Sequence, residues 1–180
     1  MLIGNKVYLD TVEKSDLESL RKWRNLPEYR KYFREYQEIN KDMQERWYQN
    51  KVVNDHSTLM FTIKDVKTNE LIGCCGLCYI NWVHRNSDLS LYIGRDEVYI
   101  DDEGIAEESC RLLFEYGFEE LGLKKIWTEI YEFDTKKYDL YHKFGFHDDG
   151  LLRSQYFYQG KWWNSYIMSL LCDEFKNLNQ

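Results

Sequence analysis

The chain has 180 residues, enough for one domain with a substantial core and short for two. Its 43% hydrophobic and 31% charged residues describe a globular chain rather than a disordered one, and the 17% aromatic share is rich enough to wall grooves with rings. A formal net charge of -7, from 24 basic against 31 acidic residues, excludes a broad nucleic-acid surface, which needs a positive field.

In chain order, residues 6–12 ("KVYLDTV") alternate and predict a first strand. Ser15 and Glu18 form an S-x-x-E capping pattern that opens a helix through "DLESLRKWRN", which Pro27 ends. Ile39, Met43, Trp47 and Val52 recur at helical spacing and predict a second helix. "TLMFTIKD" and "ELIGCCGLCYI" read as two strands joined by the turn "VKTN", and "SDLSLYIG" as a fourth strand. A helix follows Gly104, with Ile105, Leu112, Leu113 and Tyr116 on one side. "KKIWTEIYEF" is a fifth strand, and "TKKYDLYHKFG" a short helix stopped by Gly145. "LLRSQYFYQGKWWNSYIMSLL" is a long hairpin turning near Gly160. The order β-α-α-β-β-β-α-β-α-β-β carries no internal repeat or linker and predicts one mixed α/β domain over residues 1–180.

The five cysteines are an odd number and read as reduced, cytoplasmic thiols. Cys75 and Cys78 have C-x-x-C spacing, but residues three apart on a strand point to opposite faces, so the pair is a poor metal clamp. The four histidines are scattered without an H-E-x-x-H pattern, and no G-x-S-x-G elbow occurs, so no metal or hydrolase chemistry is assigned. No apolar run is long enough for a membrane span, and "MLIGNKVYLD" lacks the layout of a secretory signal.

The stretch "YIDDEGIAEESC" poses the functional question. A glycine at a helix mouth offers unpaired backbone N–H groups and the positive end of the helix dipole, a seat for phosphate. Here Asp101, Asp102 and Glu103 stand just before it. A carboxylate about 4 Å from a phosphate charge is repelled by about 4 kcal/mol at an effective dielectric near 20, whereas the dipole returns about 0.3–2 kcal/mol. The acids must therefore cap the helix, face water or be offset by cations; Arg95, Lys136 and Lys137 are placed for that.

The order of elements, "DEGIA" after the fourth strand, and "LYHKFGF" together resemble the GNAT family of acyl-CoA-dependent N-acetyltransferases, with "WRN" and "GKWWNSYIMSLL" similar to its ribosomal-protein and amino-sugar branches. The resemblance implies acetyl-CoA as co-substrate, with the pyrophosphate on the backbone of Glu103, Gly104, Ile105 and Ala106 and the pantetheine arm along Leu91, Tyr92 and Ile93. It implies Tyr141 as the acid that protonates the departing thiolate, and Asp88, with Glu129 second, as base. Arg24 and Trp163 fall where the acceptor would sit. Asp101 departs from the family's Gln or Arg; Asp134 and Lys137 depart from its N-x-x-A, although Lys137 stays among the expected cofactor contacts. The expected reaction is direct acetyl transfer to a primary amine: an amino sugar, a protein N-terminus or a small amine. The alternative is an inactive, ligand-binding or scaffold relative with a worn cofactor loop. A small-molecule or peptide amine is the expected partner, without nucleic acid or membrane; a homodimer is left open.

Overall fold

A computed structural model describes residues 1–35 and 37–178. Its strands are β1 (Leu2–Ile3), β2 (Val7–Thr11), β3 (Leu59–Asp65), β4 (Leu71–Asn81), β5 (Asn86–Ile93), β6 (Lys125–Tyr131), β7 (His147–Tyr158) and β8 (Lys161–Leu171). They form one eight-stranded sheet in the order β1-β2-β3-β4-β5-β6-β8-β7. Neighbours are antiparallel except β5 and β6, which run parallel. The helices are α1 (Leu17–Asn25), α2 (Pro27–Arg30), α3 (Lys41–Trp47), α4 (Ile105–Glu115), α5 (Thr135–Lys143) and α6 (Cys172–Leu178).

The predicted mixed α/β order is present, with three short elements added. β1 has two residues, too few to show a period. Leu26 takes the extended ψ of 130° that the following proline imposes, and Pro27 then serves as the first residue of the one-turn α2. α6 follows β8 without a glycine or proline between them, so nothing in the sequence marks the junction. One capping expectation is corrected. The chain enters α1 through a 3-10 turn (Lys14–Asp16), so the capping box joins Glu13 to Asp16 rather than Ser15 to Glu18. Asp16 Oδ2 accepts the Glu13 N–H at 2.8 Å, while Glu18 pairs with Arg21 at 2.9 Å.

The core is continuous. Val7, Leu9, Ile63, Cys75, Leu77, Leu91 and Ile93 bury one part of it, and Ile105, Ala106, Cys110, Leu113 and Phe114 of α4 cover them. Each such aliphatic or aromatic side chain removed from water contributes about 1.5–3 kcal/mol. Cys75 lies near Cys110 of α4, whereas Cys74 and Cys78 line a cavity with Met43 and Trp47 of α3. The strand alternation thus separates Cys75 from Cys78. All five cysteines are free thiols, and among the described residues no His, Cys, Asp or Glu cluster could hold a metal.

Two local devices position the site. The indole of Trp23 lies on Gly94 so closely that a Cβ there would sit 2.0 Å from its ring. This fixes α1 over the end of β5 and turns its neighbour Arg24 into the cavity. The Asn25 carboxamide accepts the Ile39 N–H and donates to the Ile39 carbonyl, both at 2.8 Å, closing the segment between α1 and α3 like a clasp.

Candidate active site

β5 and β6 pair only from Asn86 to Asp88 against Lys125 to Trp127. Beyond Asp88 they part, because β6 is held along its whole length by β8 while β5 stays with β4. The resulting V exposes backbone to incoming chemistry. Gly94 N–H donates back to Ile72 of β4, whereas Ile93 N–H is taken by the Tyr99 carbonyl. Antiparallel ladders alternate, so Leu91 directs its backbone groups into the V and Tyr92 directs its own into the sheet. Of the three residues expected along the pantetheine arm, Leu91 therefore has the open backbone. Tyr92 instead contributes its side chain to a cavity wall.

That cavity, of about 340 Å³, lies beneath the clasped segment and α3. Asp88 and Glu129 both line it, and one residue joins them. Arg34 Nη1 donates to Asp88 Oδ2 at 3.0 Å, and its Nη2 stands 3.6 Å from Glu129 Oε2. The Ser165 hydroxyl donates to Glu129 Oε1 at 2.6 Å. The second oxygen of Asp88 is buried without a hydrogen-bond partner. Burial pushes the Asp88 carboxyl above its ordinary value, and Arg34 pulls it partly back. The sequence gives no local signal for Arg34; the contact spans 54 residues.

Tyr141 is wholly buried on α5, stacked on Phe146 at 5.3 Å. Its hydroxyl also lacks a partner, and burial holds the phenol well above its usual range, so it keeps its proton. An unpartnered buried hydroxyl costs about 1–3 kcal/mol unless something arrives to use it. A buried donor without a partner is what a departing thiolate requires, and by that orphaned hydroxyl the residues here fit the acyl end of CoA.

The doorway at α4 answers the question raised by its acids. Gly104 adopts φ +84°, a conformation that favours glycine. The Asp101 carboxylate curls onto the helix start and accepts the N–H groups of Glu103, Ile105 and Ala106 at 2.9, 2.8 and 2.7 Å. Asp102 pairs with Lys136 at 3.3 Å, and Glu103 with Arg95 at 3.5 Å. Lys6, unforeseen from sequence, donates to the Glu103 carbonyl at 2.6 Å. The acids thus cap the helix or meet cations, but the cap holds three of the backbone donors expected to receive pyrophosphate. The donors are of the right kind; CoA has to displace a carboxylate to use them.

Two further expectations are corrected. Lys137 was expected among the cations at the doorway, yet it is buried. It shares the inward face of α5 with Leu140 and Tyr141, three and four residues on, and its side chain reaches the cavity that holds Asp88. Lys136, one residue earlier, faces the doorway groove. Trp163 does not line the cavity among the described residues. Its indole packs edge-on against Phe133 at 5.2 Å, donates to the Tyr158 carbonyl at 3.2 Å and lies under Lys161, because the β7–β8 hairpin builds its own aromatic cluster. Arg24 does line the cavity, stacked over Phe33 at 3.8 Å and paired with Glu35 at 2.7 Å.

Comparison with known proteins bears on the family and the fold. The model of the acetyltransferase (GNAT) domain matches residues 6–147. The spermidine N(1)-acetyltransferase of Vibrio cholerae serotype O1 is 26% identical over 181 residues, covering 99% of this chain and 100% of that protein. The spermidine N(1)-acetyltransferase of Escherichia coli K12 is 26% identical over 168 residues, 93% of this chain and 87% of its own. The solved spermidine N-acetyltransferase of Vibrio cholerae, in complex with CoA and spermine, superposes with a TM-score of 0.87 over 97% of this chain and 100% of its own, at 24% identity, a likeness of fold. The chain belongs to the GNAT acetyltransferase family, and its reaction is the transfer of an acetyl group from acetyl-CoA to the nitrogen of a primary amine.

Proposed function

We propose that the acceptor is a small polyamine of the spermidine class, with Asp88 as proton acceptor and Tyr141 as proton donor. One observation carries the choice: the buried Asp88 and the largely buried Glu129 face each other across a guanidinium that the chain supplies itself. Arg34 stands where a substrate ammonium would be drawn. Glu35 at the Arg24 side adds a third carboxylate to the cavity lining, which suits a flexible chain bearing more than one positive charge. The spermidine acetyltransferases among the relatives support the same class.

Asp88 takes the proton of the attacking ammonium, directly or through water, once Arg34 has swung aside. Leu91 offers open backbone to the pantetheine arm, and Glu103, Ile105 and Ala106 offer amides to the pyrophosphate when Asp101 releases them. Acetyl-CoA supplies the activated acetyl group; Tyr141 gives its proton to the sulfur as the bond to carbon breaks. Arg24 forms the cavity wall against the acceptor rather than contacting the thioester. The reading further includes residues 1–180 acting as one domain, a reducing cytoplasmic setting suited to five free thiols, and self-assembly. Exposed Phe157 and Trp162 on the β7–β8 hairpin support the last, as does the description of one related Vibrio cholerae structure as dodecameric.

The test is thiol release from acetyl-CoA with spermidine, spermine, an amino sugar and an N-terminal peptide offered separately. Preference for spermidine or spermine upholds the reading. Preference for the peptide or the sugar would move the acceptor class and leave the acetyl transfer intact.

A further inference from the structure

The acceptor cavity already contains a primary amine. Lys137 leaves the buried face of α5 between Asp134 and Tyr141, and its side chain reaches the wall shared with Asp88 and Tyr92. Its Nζ lies 4.7 Å from the centre of the Tyr99 ring. Among the described residues no hydrogen bond or ion pair fixes that nitrogen. Asp134, the nearest acid, spends its oxygens on the Lys137 backbone N–H at 3.3 Å and the Tyr99 hydroxyl at 3.5 Å.

Burial pushes the Lys137 ammonium below its ordinary value of 10.5, against Asp134, Cys110 and Asp88, with Arg24 adding to the fall. A lysine of this kind spends more of its time as the free amine, the form that attacks an acyl group. It stands one helical turn from Tyr141 and shares a cavity with Asp88, the acid and base assigned to the transfer itself.

We propose that Lys137 is itself an acetyl acceptor, and that the enzyme acetylates this residue in its own active site when external amine is scarce. The inference rests on the acetyl-CoA reading of the site. In the step, the Nζ lone pair forms a C–N bond to the acetyl carbon and the C–S bond to CoA breaks. The nitrogen gives its remaining surplus proton to Asp88, the sulfur leaves as a thiol with the proton of Tyr141, and Tyr141 is reprotonated at the expense of Asp88 through water. Free amine and thioester become amide and thiol, with no other reactant needed. Tethering replaces a second-order encounter by a local one, which is why a single buried lysine can outrun many exposed ones.

The experiment incubates the purified full chain with acetyl-CoA alone, follows the intact mass for one added acetyl group, and maps acetylated peptides over time. A parallel sample receives acetyl-CoA and spermidine and is assayed for thiol. Expected are acetylation of Lys137 at least about tenfold faster than of exposed Lys22 and Lys67, and slowing of that modification by about 10²-fold in Tyr141→Phe, with the exposed lysines unchanged. Lys137→Arg is expected to abolish the early mass gain. Spermidine turnover in the parallel sample, with Lys137 left unmodified in the sample given acetyl-CoA alone, overturns this inference and leaves the proposed function standing. Modification of Lys137 at the rate of the exposed lysines, or equally in Tyr141→Phe, overturns it as simple chemical acylation. Absence of thiol release with every amine, together with an unmodified Lys137, would overturn the proposed function and this inference with it.

Discussion

The acceptor cavity and the cofactor doorway are occupied in opposite senses by the chain's own charges. In the cavity, two carboxylates that would attract an ammonium hold the guanidinium of Arg34. At the doorway, three amides that would attract a phosphate hold the carboxylate of Asp101. On the proposed reading, each site is kept by a stand-in of its ligand's charge. The difference lies in how firmly. The Arg34 side chain is 47% exposed and springs from a segment far in sequence from its partners, so water can receive it once an incoming ammonium takes its place on the buried Asp88. Asp101 is two to five residues from the amides it binds, and it makes three short bonds at once. A local contact is always at hand; a distant one has to be kept by the fold. The doorway is therefore expected to limit binding more than the cavity does.

The largest expected effect lies not at either stand-in but at the proposed acid and base themselves. Tyr141→Phe and Asp88→Asn should each lower kcat by about 10²–10⁴-fold, with smaller change in the affinity for CoA. An unchanged rate in Tyr141→Phe would remove the phenol from the mechanism. Asp88→Asn carries a second readout. Because the folded-state pKa of Asp88 is raised, the folded protein binds that proton more tightly than the unfolded chain. Stability through this group is therefore lost as pH rises from about 3.8 through the folded value. At neutral pH the asparagine variant should melt at the same temperature or higher while losing activity. A clear fall in Tm would mean that the Arg34 contact outweighs the burial of the charge. For the same reason, the acidic limb of the pH–rate profile should lie above 3.8, the rate falling as pH drops through the raised value.

Next in size is the doorway itself. Asp101→Ala should tighten acetyl-CoA binding about tenfold or more by calorimetry, since it frees the amides and removes a repulsion worth up to about 4 kcal/mol. It should also cost about 1 kcal/mol of stability as the helix loses its cap. Weaker binding in this variant would show that the carboxylate organises the loop for phosphate, and the contrast between the two sites would fall.

The smallest effect belongs to the cavity. Arg34→Gln should lower KM for spermidine by about three- to fivefold, consistent with the roughly 0.2–1 kcal/mol of a partly exposed ion pair. The same variant should leave KM for acetyl-CoA alone. A rise in KM for spermidine would instead make Arg34 a part of the acceptor site rather than a stand-in for the acceptor.

Much of this was legible in the chain because its signals are local. Gly145 adopts φ +77° and closes α5 as its place in "LYHKFG" requires. Gln159 and Gly160, at φ +51° and +78°, make the tight turn of the β7–β8 hairpin. Gly104 and the acids before it announced a capped helix mouth. β1 and α6, of two and seven residues without punctuation, were not announced, nor was the four-residue α2, whose proline reads as the end of the helix before it.

Sequence by itself determined the order of the main elements, the glycine at the start of α4, and the choice of Tyr141, Asp88 and Glu129 as the candidates for moving protons. It could do so because turns, caps and alternation are properties of neighbours along the chain. Tertiary structure alone decided that Arg34 reaches Asp88 across 54 residues, that Lys137 faces inward while Lys136 faces the groove, and that Trp163 belongs to the hairpin. Each of these depends on which buried face a side chain shares and on which charge it meets there. Burial and Coulomb partners arise from folding the sheet, so no stretch of residues read alone contains them.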